Sequence, residues 1–296
     1  MRLTELMLNS NEKIKQISGE ELGELKKTLL GIYKDIFDVC EKNGMKIFLG
    51  GGSCLGAVRH HGFIPWDDDI DLNMFRADYE VLPVLLEKEF HGKYKCVFPN
   101  QAMNSRVPFM EVHKIGTLLR RHYDLPEDKP GICIDIFPIE SIPDNKLLQI
   151  FHACVIDFFF FSGVCVRLYE KRDSIGVKLL KSTFKGCLFI AMRIVIGFIL
   201  HFKKSSWWDY KGDVVAKKYK DRNSKYISIP TGRRHYFGEK LPAKNLLPAK
   251  KVDFENEGAY IYNNYVEYLT SLYGENYMIP PAENKREHHF CLEIKF

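Results

Sequence analysis

Apolar residues recur at three- and four-residue steps through Leu22, Leu25, Leu29, Ile32, Ile36 and Cys40. That spacing predicts one amphipathic helix, opened by Ser18 and Glu21 in capping-box order and stopped by Asn43-Gly44. A period of two then takes over. Met45 to Leu49 reads as a short strand running into Gly50, Gly51 and Gly52. Cys54 to His61 reads as a short helix ended by Gly62. Ile70, Leu72 and Met74 alternate with Asp69, Asp71 and Asn73, the pattern of a half-buried strand. Arg76 to Glu89 reads as helix, with Pro83 expected to kink or shorten it. Further strands are expected at Tyr94–Phe98, Phe109–Ile115, Gly131–Ile139, Tyr226–Ile229 and Lys250–Phe254, and a helix at Asn264–Tyr273.

Between Asn145 and about Lys225 the texture turns helical, with apolar runs at Phe158–Phe161 and Phe184–Phe202. The second run is long enough to raise the question of a membrane span. Arg193 at its middle costs ~2.5–3.5 kcal/mol for insertion. On a helical wheel Lys178, Lys181, Lys185, Arg193, Lys203 and Lys204 share an arc of about 140° at 100° per residue, although Phe189, Ile196 and Leu200 lie in it too. Three settings stay open: docking on an anionic membrane surface, a buried core helix, or a span.

Strands interleaved with helices give an α/β (α+β) fold, a mixed sheet flanked by helices with a helical insertion. Three divisions are expected: a core over 18–144, a basic helical region over 145–225, and a C-terminal segment over 226–296 packing back on the core. The net charge of +5 is too small to point to nucleic acid as a bulk partner, but it is uneven. Fourteen Lys and Arg against five Asp and Glu lie between Arg167 and Arg222, so the basic surface is regional. The eight cysteines show no CxxC pair, and residues 1–17 show no secretory apolar region. A reducing, cytoplasmic setting is the expectation.

The chemistry concentrates between Leu49 and Met74. Asp69 and Asp71 point the same way from one strand and repel each other, which a divalent cation between them resolves. A hard ion such as Mg²⁺, with Mn²⁺ the alternative, suits sparse carboxylate ligation with positions left for phosphate and water. Gly51, Gly52 and Ser53 open the following helix, whose amides favour phosphate, and Arg59 adds positive charge further along it. A Gly-Ser turn is also often only a turn, and acidic strand faces are often only solvated. A calcium loop is a rival, because Asp69, Asp71, Asn73 and Glu80 stand at positions 1, 3, 5 and 12 of that motif, but Met74 replaces its glycine. Lys114 is either a surface lysine or a phosphate contact. Asp135, set in the apolar run Ile132–Ile139, is costly to bury as an anion without a partner, so it is either a satisfied core aspartate or a third metal-binding carboxylate. The adjacent histidines His60-His61 and His288-His289 lack the spacing of a zinc site.

The run GGGSCLGAVRHHGFIPWDDDIDLNMFRADYE resembles the signature of the LicD family, bacterial proteins related to fukutin. The segment Asp135-Ile136-Phe137-Pro138 and the tail from Tyr273 to His289 resemble that family too. The resemblance implies a nucleotidyltransferase-like core in which Asp69, Asp71 and Asp135 hold the metal and carry catalysis. It also implies transfer of phosphocholine, or a related alcohol phosphate, from CDP-choline or another CDP-alcohol. The acceptor is a cell-surface glycan precursor, of the lipopolysaccharide, teichoic acid or capsule kind, and CMP leaves. A lipid-linked acceptor would put such an enzyme on the inner face of the cell membrane. Trp66 is either an aromatic wall for choline or a packing residue. Two other classes compete: a nucleotidyltransferase that leaves an NMP on its acceptor, and a membrane-binding protein without catalysis.

Overall fold

The computed structural model describes residues 14–100, 102, 105–181, 184–220, 223–286 and 289–296. Five strands order the main sheet as β2-β3-β7-β5-β4: Ile47–Leu49 (β2), Asp71–Phe75 (β3), Cys133–Ser141 (β7), Met110–Lys114 (β5) and Tyr94–Val97 (β4). The β3/β7 pair is parallel, and the β2/β3, β5/β7 and β4/β5 pairs are antiparallel. Tyr226–Ser228 (β8) joins the far end of β7 and is followed by Leu241–Pro242 (β9). Lys15–Gln16 (β1), Phe290–Lys295 (β12) and Leu118–Arg121 (β6) form a second, three-stranded sheet. A hairpin joins Lys250–Phe254 (β10) and Glu257–Ile261 (β11) through Glu255 and Asn256, both with positive φ, the turn that matches strand twist. This is an α+β architecture, a mixed sheet flanked by helices.

Alternation divides the main sheet by chemistry. Ile70, Leu72, Met74, Met110, Val112, Ile134 and Ile136 are wholly buried and belong to one core. The intervening positions carry Asp69, Asp71, Asn73, Glu111, His113 and Asp135. Gly19–Lys42 (α1) and Arg76–Glu89 (α3) pack on β7, while Gly51–His60 (α2) packs on β3. Pro83 does not shorten α3, because Tyr79, Leu82 and Leu86 are buried on either side of it and hold both halves on the core. Ser18 is the N-cap of α1, but its hydroxyl makes no cap bond, and Glu21 pairs instead with Lys15.

Lys146–Glu170 (α4), Ile175–Lys181 (α5), Phe184–Leu200 (α6) and Ser205–Ala216 (α7) make the helical region. Asn145 caps α4 by accepting from the Leu147 and Leu148 amides. Arg167 pairs with Asp209, and the Ser205 hydroxyl donates to Glu170 at 2.6 Å, so α4 and α7 are clamped by polar contacts. Gly197 lets α6 approach α4 closely, since a Cβ there would lie 2.2 Å from the Cys165 carbonyl oxygen.

The helical region is tied to the sheet through one buried guanidinium. Arg76 Nε donates to Glu140 Oε1 of β7 at 3.0 Å, and Arg76 Nη2 donates to Asp213 Oδ1 of α7 at 2.8 Å. Removing the cation leaves the buried Glu140 carboxylate without its guanidinium and Asp213 with Lys217 at 3.2 Å as its remaining partner, so Arg76→Met is expected to cost about 3–5 kcal/mol. Urea unfolding measures it, and a loss under about 1 kcal/mol, the range of an exposed pair, would contradict the assignment.

Candidate active site

The parallel register of β3 and β7 sets Asp71 directly beside Asp135, and the antiparallel register of β7 and β5 sets Asp135 beside Glu111. Paired residues project from the same face, so three carboxylates cross three adjacent strands in one row. β3 begins at Asp71, two residues later than the alternation predicts, and Asp69 stands just ahead of it in extended chain.

Asp71 is pushed well above the ordinary carboxylate range, first by burial and then by Asp69, Asp135, Asp67 and Glu239, all of them acids. Asp135 is raised for the same reasons, burial first and then Glu111 and Asp69, with Arg121 and Arg106 opposing. Glu111 has partners of its own: against burial, the His113 hydrogen bond and the Arg106 guanidinium pull it down to about 2. Asp68 likewise has partners close by, with Arg121 Nη1 at 2.9 Å and His289 Nδ1 at 2.5 Å. Asp71 and Asp135 are thus poorly compensated for their burial, a deficit that a divalent cation would make good. Their all-oxygen donor set fits such an ion.

Among the described residues, two groups bring three possible metal-ligand atoms within 4.8 Å of one another, Glu111 with His113 and Cys133, and Asp67 with Asp68 and His289; Asp69, Asp71 and Asp135 are not such a group. His288 lies outside the described residues.

The helix after the glycines starts at Gly51, three residues ahead of the predicted Cys54. Gly51 has φ +40°, and a Cβ on it would lie 3.1 Å from Asp71 Oδ2; a Cβ on Gly52 would lie 2.9 Å from Asp67 Oδ2. Only glycine lets the first turn of α2 come this close to the carboxylates. The Gly51 amide donates to the Tyr268 hydroxyl at 3.0 Å, so it is already committed. The Ser53 hydroxyl accepts from the Asp71 amide at 2.9 Å, and the Gly50 amide donates to the Asp71 carbonyl at 2.8 Å. Ser53 is buried and does not line the cavity below. It fixes the start of β3 and is not placed as a phosphate contact.

A cavity of about 390 Å³ opens over this corner, lined by Gly51, Gly52, Arg59, Asp67, Asp69 and Asp71. Its opposite wall comes from the C-terminal segment, including Arg233, Tyr273, Tyr277, Lys285 and Arg286. Arg59 donates to the Tyr277 carbonyl at 2.8 Å, and the Arg286 guanidinium lies 4.3 Å from the centre of the Trp66 ring. Glu239, raised by burial to about 7, also faces in. A second cavity of about 320 Å³ is lined by Asp135, Glu111, Arg106, Arg121 and Tyr123. Asp69 and His289 line both.

Lys114 does not join the group. It lies one position out of phase with Glu111 and His113 and lines a separate cavity with Lys95 and Lys129. Lys114→Ala is therefore expected to leave turnover within about twofold of wild type, and a tenfold loss would return it to the site. Glu80 is also elsewhere, paired with Lys217 at 3.2 Å and Lys220 at 2.7 Å, which removes the twelfth-position ligand of a calcium loop.

The LicD/FKTN/FKRP nucleotidyltransferase domain profile matches residues 44–152. The lipopolysaccharide cholinephosphotransferase LicD of Haemophilus influenzae is 25% identical over 272 residues, covering 90% of this chain and 96% of that protein. An uncharacterized Rickettsia prowazekii protein, RP689, is 31% identical over 111 residues, 36% of this chain and 40% of the relative. The human ribitol 5-phosphate transferase FKRP is 46% identical over 43 residues, 14% of this chain and 9% of that protein.

Proposed function

We propose that this chain is an enzyme that transfers an alcohol phosphate from a CDP-linked donor, a reading supported by the match of residues 44–152 to the LicD/FKTN/FKRP nucleotidyltransferase domain profile and by relatives that are transferases. Phosphocholine from CDP-choline is the first candidate, with other CDP-alcohols as alternatives, and a hydroxyl of a lipid-linked cell-surface glycan precursor is the acceptor. What supports the reading is that Asp135 stands beside Asp71 across β3 and β7 and that Asp69 lines both cavities, next to a glycine-opened helix and a cavity rich in Arg and Lys.

The side chains divide the work. Asp69, Asp71 and Asp135 would hold Mg²⁺, or Mn²⁺ in its place. When bound, the ion neutralises charge on the diphosphate and favours in-line displacement. Gly52 and the first turn of α2, with Arg59, would hold the nucleotide-side phosphate, and Arg233, Lys285 and Arg286 supply further positive charge to the same cavity. Asp135 would accept the acceptor's hydroxyl proton as general base. The acceptor oxygen forms a bond to the alcohol-side phosphorus while the bond from that phosphorus to the bridging oxygen breaks, and CMP leaves with the bridging oxygen. No covalent enzyme intermediate is required. We place the reaction at the cytoplasmic face of the membrane, where lipid-linked precursors are within reach.

The test is CMP release from a panel of CDP-choline, CDP-ethanolamine, CDP-glycerol and CDP-ribitol with Mg²⁺ and total membrane glycolipid. Release from one donor is expected. Silence on all four, with pyrophosphate formed from CTP or ATP, would overturn the reading in favour of nucleotidyl transfer.

A further inference from the structure

The helical region turns its most apolar side outward. On α6, Leu188, Met192, Val195 and Ile199 follow one another at steps of three and four, and each is more than half exposed. On α4, Leu147, Phe151, Phe158 and Phe161 share one face at steps of four, seven and three, with Leu147 at 76% and Phe151 at 70% exposed. A helix that is apolar all round is ordinarily covered on every side. Here the chain covers only the inner side of α6, where Ile190 and Gly197 are buried.

The two stripes form one surface. Phe158 of α4 and Phe202, just after α6, both meet Trp208, with ring centres 6.1 and 5.8 Å away. Arg193 lies 4.2 Å from the Phe189 ring and 5.4 Å from the Phe161 ring, bridging the helices inside the patch. It is not part of an outward basic stripe. Lys181 and Lys185 lie outside the residues whose side chains are described. A patch of this extent on a monomer marks an interaction site.

We infer that the outer face of α4 and α6 docks on the surface of an anionic bilayer, lying in the headgroup layer without crossing it. The border supplies the charge complement. Lys203 and Lys204 are exposed at the end of α6, and Trp207 has Lys203 and Lys211 within 5.8 and 5.5 Å of its ring. Tryptophan and lysine bordering an apolar helical face are the anchors of interfacial helices. Acids also border α4: Asp144 stands just ahead of it, Asp157 lies beside Phe158, and Glu170 at its end accepts from the Ser205 hydroxyl. A second copy packed symmetrically here would bring these cations against their own images, which disfavours a dimer.

The rest of the unit argues against spanning. α6 runs over 17 described residues, about 25 Å, at the lower end of the roughly 17–25 residues of a spanning helix. α4 is long enough, but its inner side holds His152 and the Arg167–Asp209 and Glu170–Ser205 contacts, which would be carried into hydrocarbon. Docking of this kind would hold the cavity near a lipid-linked acceptor, a purpose that rests on the transferase reading.

Vesicle flotation tests it without turnover, so its failure and that of the transferase reading are told apart. The full chain is expected to float with phosphatidylcholine vesicles containing 30% phosphatidylglycerol and at least tenfold less with pure phosphatidylcholine. Leu188→Glu with Ile199→Glu should abolish flotation, and Lys203→Ala with Lys204→Ala should remove the dependence on anionic lipid. Should the glutamate variant misfold, quenching of Trp207 by brominated lipid in a chain with Trp66 and Trp208 replaced by Phe reads the same contact. A wild-type chain that stays unbound, or a folded glutamate variant that floats equally well, overturns the inference. So does a dimer in light scattering that the glutamates dissociate.

Discussion

Asp71→Asn is expected to reduce CMP release by at least about 10²–10³-fold, the scale of losing one stabiliser of transition-state charge, while leaving the protein folded and, without metal, more stable. Both effects have one cause. The backbone of Asp71 is fixed by the Ser53 hydroxyl on its amide and the Gly50 amide on its carbonyl. Neither contact involves the carboxylate, so the amide side chain keeps the local structure. The carboxylate itself is buried among Asp69, Asp135, Asp67 and Glu239. Replacing it with a neutral isostere removes repulsion that the fold tolerates and, with it, the proposed metal ligand. This is the stability-for-function exchange expected at an active site.

The pH dependence follows with a definite sign. Asp71 and Asp135 have carboxyls raised in the folded state above the ordinary unfolded value of about 3.9. The folded state therefore binds protons more readily, and the cost of ionising these groups is fully present above the raised values. As pH falls through that window the cost disappears, so metal-free wild type should gain stability relative to Asp71→Asn. Paired thermal melts from neutral to mildly acidic pH check it. A variant less stable than wild type at neutral pH would mean that Asp71 is compensated by something other than a metal.

The second large effect is the response to the metal itself. Adding Mg²⁺ to chelator-treated wild type should raise the melting temperature and restore CMP release, with Mn²⁺ able to substitute. At a hundredfold excess over its Kd a ligand specific to the folded state adds about 2.7 kcal/mol. For a chain of this size that is a shift of several degrees. Asp71→Asn should show little or no shift. A shift of equal size in wild type and variant would place the bound ion elsewhere, and the Glu111–His113–Cys133 and Asp67–Asp68–His289 groups would be the places to look.

Which parts of this site could be seen in the chain, and which could not, has a physical basis. Asp69 and Asp71 were legible because alternation needs only neighbouring residues, and Asp135 because an acid inside an apolar strand demands a partner. That Asp135 lies beside Asp71 depends on the register of β3 against β7, which no local pattern encodes. Glu111 shares its strand face with His113, so its strand reads as mixed until the pairing with β7 gives that face a role. Gly51 reads as a turn residue, and its place in the first turn of α2 depends on Tyr268, more than two hundred residues away. Ser53 looks like a phosphate ligand by position, but its hydroxyl meets the Asp71 amide. β1, β6, β9 and β12 are short strands whose pairing is supplied by distant partners, and they leave little periodicity. In the helical region the apolar runs are obvious, but which side the rest of the chain covers is a tertiary fact.

The most direct test of the central claim follows the two phosphorus atoms of the donor. CDP-choline labelled separately at the nucleotide-side and the choline-side phosphate should be incubated with the enzyme, Mg²⁺ and membrane glycolipid. Choline-side label in the glycolipid, with nucleotide-side label in free CMP, is the predicted result. Nucleotide-side label in the glycolipid, with phosphocholine released, would contradict the account and make the enzyme a nucleotidyltransferase acting through the same aspartates.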